Sequence, residues 1–282
     1  MAGRIITNPL VLTREQVTPP DMEKLHQVCL QVHELANRMA RNVSADTHLD
    51  DTPCVRRFMS ACLQGMAQKV LAIKRLGPGY VPEVGAILRV HTEAAIDFFW
   101  LLSHYCHRRA DAEKIATHFF AIRARHFLSQ AAQAKEALRI DTFLRDFFDE
   151  QAWDQDVEDA RADAKGLPMK HDNWRVVEGI TTTKNVTTEA RSKRAARQVA
   201  QIANLKHAPF AQNVASLNSY AHWDAAQAQR YTSGFQDALF QRHLNNAMGF
   251  LLDVMFGVAS ASSLEFPDEA RVLTQQIVYM ST

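Results

Sequence analysis

Apolar residues in this chain recur every three or four positions over segments so long that the α-helix is the element they specify. Met22, Leu25, Val28, Cys29, Val32, Leu35, Ala36 and Met39 form one stripe along a first helix. Ahead of it, Thr18-Pro19-Pro20-Asp21 supplies a capping hydroxyl, prolines for a first turn and an acid favoured by the helix dipole. A second helix opens at Thr52-Pro53, carries Val55, Phe58, Met59, Cys62, Leu63, Met66 and Val70, and stops before Gly77-Pro78-Gly79. A third runs from near Pro82 to about His107, with Ile87, Leu88, Ala94, Ala95, Phe98, Leu102 and Tyr105 inward. Only 10 glycines and 9 prolines punctuate 282 residues, too few for a turn-rich β fold.

Helices four and five are expected over Asp111–Gln133 and Asp141–Lys165, the second aromatic at its start, highly charged at its end and closed by Gly166-Leu167-Pro168. The stretch from Trp174 to Val186 lacks a helical period, and its threonines suit a short extended segment. Thr188 then caps a basic helix to about Leu205, another helix follows Pro209, a long one spans Gly234 to Ser263, and Pro267 opens the last. The fold class is all-α: a multi-helix bundle with a protruding charged hairpin at about 109–166, residues 1–17 forming a leader and 18–282 one helical domain.

Composition narrows the function. With 47% apolar residues and 22% charged, the chain has material for a sizeable core, and its net charge of +1 names no polyanionic partner. Cys29, Cys54, Cys62 and Cys106 lie far apart without a C-x-x-C pair, which fits free thiols in a reducing compartment. Met1 to Leu12 has no signal-peptide pattern, and the most apolar run, Ala247 to Ala259, contains Asp253 and is short for a bilayer span. A cytoplasmic protein without a membrane partner is the expectation.

Three constellations carry chemistry. Arg89, Glu93, Asp97, Trp100, His104 and His107 share one face of the third helix. That face is either a solvated stripe or, since it holds a tryptophan, a partly buried network whose charges satisfy each other or hold a ligand. Ser219 and His222 sit three apart with Asn218 beside them, so a hydroxyl would orient an imidazole that titrates near neutrality. On the penultimate helix, Asn246, Gly249 and Asp253 lie on one face of an otherwise apolar segment; the two polar groups need internal partners or a ligand. Arg191, Lys193, Arg194 and Arg197 form a basic ridge suited to a nucleic-acid backbone or to solvation beside acidic residues 154–159. No cofactor or metal is expected: His104-x-x-His107 and Glu23-x-x-His26 are incomplete ligand sets, and no second Glu-x-x-His exists.

Leu88-Arg89-x-x-x-Glu93, preceded by a helix and a Gly-Pro turn, resembles a bacterial domain-of-unknown-function family that pairs an R-x-x-x-E helix with a later S-x-x-H helix, here Ser219-Tyr220-Ala221-His222. The resemblance covers about Thr52 to Ala259 and implies an all-helical fold in which Arg89, Glu93 and His222 converge. The chain also resembles, remotely, HEPN-type helical proteins, many of them toxin or defence ribonucleases. Arg41-Asn42 followed by His48 meets the HEPN spacing, yet by chemistry Arg89 with His222 is the better phosphate clamp and acid–base pair.

The functional expectation is a polar pocket of Arg89, Glu93, Ser219 and His222, with Asp97, Asn246 and Asp253 as ligand-binding groups. It would take RNA or a phosphate-bearing small molecule, in defence or toxicity. Arg89 would stabilise phosphate charge, Glu93 orient it and His222 move the proton. The competing expectation is a non-catalytic, self-associating interaction or scaffold protein in which the same residues form a structural network.

Overall fold

Helix α1 (Met22–Ser44) starts one residue past Asp21, whose carboxylate accepts the Lys24 amide at 3.0 Å. The acid itself is therefore the cap, and the expected Thr18 cap lies outside the described residues. The computed structural model describes residues 21–140, 149–165, 173–203 and 236–281. Among these the chain is an all-α bundle of eight α-helices with two short 3-10 turns and no strand.

Helix α2 (Pro53–Leu76) returns antiparallel to α1. The Cys29 thiol, early in α1, faces the Val70 carbonyl late in α2, while Ser44 bonds Ser60 at 2.9 Å at the opposite end. Thr52 precedes Pro53 without capping by its side chain. The Cys54 and Val55 amides instead donate to the Glu113 carboxylate at 2.9 and 3.0 Å, so an acid from a later helix closes this N-terminus. Gly77, at φ +73°, turns the chain through Pro78–Tyr80 into α3 (Val81–His107).

The centre of the molecule is α3 against α7 (Gln236–Ala261). His91 Nε2 donates to the Ala247 carbonyl at 2.9 Å, and the Tyr105 hydroxyl donates to the Ala261 carbonyl at 3.3 Å. Both numbers rise together, so the helices run parallel. Gly257 makes their closeness feasible: a Cβ there would stand 2.6 Å from Phe98 Cε1 and 2.9 Å from Phe99 Cε1. By length and composition α7 could cross a bilayer, yet 67% of its most apolar window is buried within the protein, the position of a core helix.

Parallel neighbours need a long crossover. This one contains α4 (Arg109–Ile140), α5 (Glu150–Ala164), an irregular strap at 173–187 and α6 (Thr188–Ala203), before α8 (Asp268–Ser281) buries Ala270, Leu273 and Ile277 against α1 and α7. α4 outruns the expected end at Gln133 by two turns. Its first half buries Ala112, Ile115, Ala116, Ala121 and Ile122, while past Ala124 only Ala131 is buried and Ile140 is 68% exposed. α5 buries Ala160 alone. Lys135 holds Glu150 and Asp154 at 2.9 and 2.6 Å, so this distal hairpin is joined by charge. α5 begins after Asp149, which caps it; the expected start at Asp141 and the Gly166-Leu167-Pro168 stop fall outside the described residues.

The segment expected to be extended is a run of turns. Thr181 Oγ1 accepts the Val177 amide at 2.8 Å and donates to the Arg175 carbonyl, while Val176 and Val186 plug into the core. Thr187, not Thr188, caps α6 by accepting the Ala190 amide at 3.2 Å. The helix expected after Pro209 lies outside the described residues.

Candidate ligand cleft

The polar face of α3 divides along its length. Arg89 and Glu93 pair across one turn at 3.5 Å with side chains 30% and 35% exposed. Such a pair, base before acid and in contact with water, contributes only a few tenths of a kcal/mol. One turn on, Asp97 is 8% exposed, and two guanidinium groups grip it. Arg175 of the strap donates Nε to Oδ1 at 3.0 Å and Nη2 to Oδ2; Arg191 of α6 donates Nη1 to Oδ1. Arg191 is itself buried at 5% exposure, and its Nε donates to the Val186 carbonyl at 3.1 Å. Burial pushes the Arg191 guanidinium down, while Asp97 and, farther off, Glu93 favour its charge. Asp97 thus fastens both ends of the strap to α3.

The rest of the face is buried. Trp100 is 1% exposed and meets Trp174 and His104 edge-on at 5.9 and 5.0 Å. Burial and the nearby Arg194 lower the His104 pKa to about 4, so its ring is neutral. The solvated stripe is overturned for Asp97, Trp100 and His104. His107 is exposed and does not join His104, and no group of three metal-type side chains converges among the described residues.

Other expected residues disperse. Asn246 and Asp253 are half-buried on α7, and neither lines the cleft that holds Glu93 and Asp97. Burial raises the Asp253 carboxyl to about 6. The basic ridge is broken: Arg191 faces inward to Asp97 and is unavailable to a nucleic acid. Lys193 pairs with Glu189, Arg194 is half-buried, and Arg197 is exposed. Arg41 lies on the α1–α8 side, whereas His48 accepts from Arg109 Nη2 at 3.0 Å, so the HEPN-spaced pair does not form a unit. Ser219 and His222 lie outside the described residues.

Glu93 and Asp97 converge with groups that the sequence did not single out. Between α2, α3 and the α4–α5 hairpin opens a cleft of about 960 Å³. Its aromatic side is a chain of edge-on rings: Phe58 to Phe119 at 5.0 Å, Phe119 to Trp174 at 4.9 Å, Phe119 to Phe120 at 5.1 Å. Three guanidiniums lie over these rings: Arg57 over Phe120 at 4.1 Å, Arg175 over Trp174 at 4.6 Å and Arg123 over Phe119 at 5.4 Å.

Most of the charge in the cleft is internally matched. Asp163 pairs with Arg57, Asp97 with Arg175 and Arg191, and Glu93 with Arg89. Lys69 and Arg123 line the cleft without an ion-pair partner among the described residues; Lys69 donates to the Gly65 carbonyl at 3.2 Å. Asp156 and Asp159 of α5 stand on the exposed edge, in water that screens them. Among the described lining residues there is no histidine, and burial pushes the one thiol, Cys62, up to about 12. A periodic signal was present: Phe119, Phe120, Arg123 and Phe127 share one face of α4.

No family model, curated protein or solved structure matches the chain.

Proposed function

We propose that this protein binds a phosphate-bearing ligand, a free nucleotide or the end of an RNA strand, in the cleft between α2, α3 and the hairpin. One observation carries the reading: half-buried Lys69, with Arg123 exposed at the rim, lines an aromatic-sided cleft, and neither has an ion-pair partner among the described residues. Phosphate oxygens would complete the charge pairing of both. A cleft near 960 Å³ suits a ligand of nucleotide size. Burial holds the Cys62 thiol of the lining in its protonated form, so it is no nucleophile near neutrality, and the reading is one of binding. The RNA-cleaving pair Arg89 and His222 gains no support from Arg89, which is tied to Glu93 at the edge.

The buried Asp97 clamp favours a second reading, a scaffold in which these charges only hold α3, the strap and α6 together. Calorimetric titration separates the two. Adenosine triphosphate and a single-stranded RNA hexamer are titrated into the wild type, Lys69→Ala, Arg123→Ala and Arg89→Ala. The cleft reading predicts binding of at least one ligand, weakened about tenfold or more by Lys69→Ala and by Arg123→Ala and unchanged by Arg89→Ala, since a charge-assisted contact is worth about 1.5–3 kcal/mol. Binding of the hexamer alone identifies RNA as the source of the phosphate, and binding of the triphosphate identifies a free nucleotide. Binding of neither, or affinities untouched by both cation variants, overturns the reading in favour of the scaffold.

A further inference from the structure

We infer that the ligand of this cleft carries a flat aromatic ring, of the nucleobase class, and that Gly65 is the residue that makes room for it. The inference rests on the phosphate reading above and specifies what else the ligand contains. Gly65 sits in the middle of α2, where glycine weakens a helix relative to alanine. Packing does not require it there. A Cβ at this position would meet one atom, the Lys69 ammonium, at an ordinary 3.7 Å. The missing side chain instead leaves bare α2 backbone on the floor of the cleft, beside the Lys69 ammonium.

The side facing this floor suits a ring. Phe119, Phe120 and Phe127 of α4 stay half-buried although the core is close by, so they keep apolar surface on the cleft. Arg57 and Arg123 already lie over Phe120 and Phe119, and guanidinium groups and aromatic rings both accept a further flat ring by stacking. Floor, aromatic side and cations without an ion-pair partner among the described residues together match a base joined to phosphate, and an aliphatic phosphate would leave the rings and the glycine unused.

Inorganic tripolyphosphate carries the phosphate chain of adenosine triphosphate without the ring, so titrating both into the full chain isolates the ring. The inference predicts that the nucleotide binds at least about tenfold more tightly. Gly65→Leu, a good helix former that fills the floor, is expected to abolish that advantage, read as the ratio of the two affinities within the variant because its side chain also touches Lys69. Phe127→Ser, which removes a half-buried ring that packs on Trp153 across the hairpin at 5.3 Å, is expected to act in the same direction, and it serves if the leucine variant fails to fold. Equal wild-type affinities for the two ligands overturn the ring and leave the phosphate reading standing. An advantage that survives both variants overturns the assignment of the ring to Gly65 and the facing phenylalanines. Binding of neither ligand overturns both.

Discussion

Gly257 and Gly65 each lie inside a central helix, and their surroundings differ. At Gly257 the α3–α7 seam closes until a single methyl group would collide with Phe98 and Phe99; at Gly65 a methyl group would make one ordinary contact, with Lys69 Nζ at 3.7 Å. Along the seam, His91 and Tyr105 bond the backbone of α7 and buried side chains fill the rest. Along the cleft, charges and half-buried rings face a volume that the chain does not fill. One helix, α3, borders both. The difference teaches that the seam holds the fold together, and that the opening beside it reflects what the residues on its rim leave unfilled.

The largest expected effect comes from the residue that ties the open side to the sealed one. Asp97→Ala leaves two guanidiniums, one of them deeply buried, without their carboxylate, and is expected to cost about 3–5 kcal/mol in a denaturant titration. A loss below about 1 kcal/mol would mean that the strap and α6 hold their places without the clamp.

Next come the two glycines. Gly257→Ala overpacks the seam and is expected to destabilise by about 1–3 kcal/mol. Gly65→Ala is expected to stabilise by up to about 1 kcal/mol, because helix propensity rises with nothing displaced. Thermal melts of the two variants should therefore move in opposite directions, and movement in the same direction would break the contrast.

The smallest effect tests how well the seam is sealed. Burial, with a contribution from Lys69, lowers the His91 pKa to about 3, far below its ordinary 6.5. The folded state thus refuses a proton that the unfolded chain accepts below pH 6.5. The stability this contributes is complete above 6.5 and is lost as pH falls toward the folded value. From pH 7 to 6 the single group should cost about 0.7 kcal/mol. His91→Gln should flatten the pH dependence of the melting temperature by that amount. Asp253, raised to about 6, acts with opposite sign as pH falls, and it cancels because it is common to the wild type and the variant. An unchanged slope in His91→Gln would show that water reaches the seam.

Elements were far more legible in the sequence than partners. The period of α1, α2, α3 and α7 is local, and their ends fall within a few residues of expectation. The start of α2 at Pro53 was legible, but the acid that closes it, Glu113, lies 59 positions after Cys54, beyond any local pattern. The stripe through Arg89, Glu93 and Asp97 was visible, yet its division was not, since Arg175 and Arg191 arrive from 78 and 94 residues beyond Asp97. Only Trp100 hinted that part of the face is covered. The strap resisted reading because its order comes from a few turns and two valine plugs, which leave no period. Gly65 and Gly257 look alike in sequence, and only the opposing helix distinguishes them.

The central claim is that the opening beside α3 is a ligand site, and hydrogen exchange tests it by location. Amide exchange is followed with and without adenosine triphosphate or the RNA hexamer, whichever binds. The account predicts slower exchange in residues 57–69 of α2 and 119–127 of α4, with α1 and α8 unchanged. Protection confined to α1 and α8, or none anywhere at saturating ligand, would contradict it.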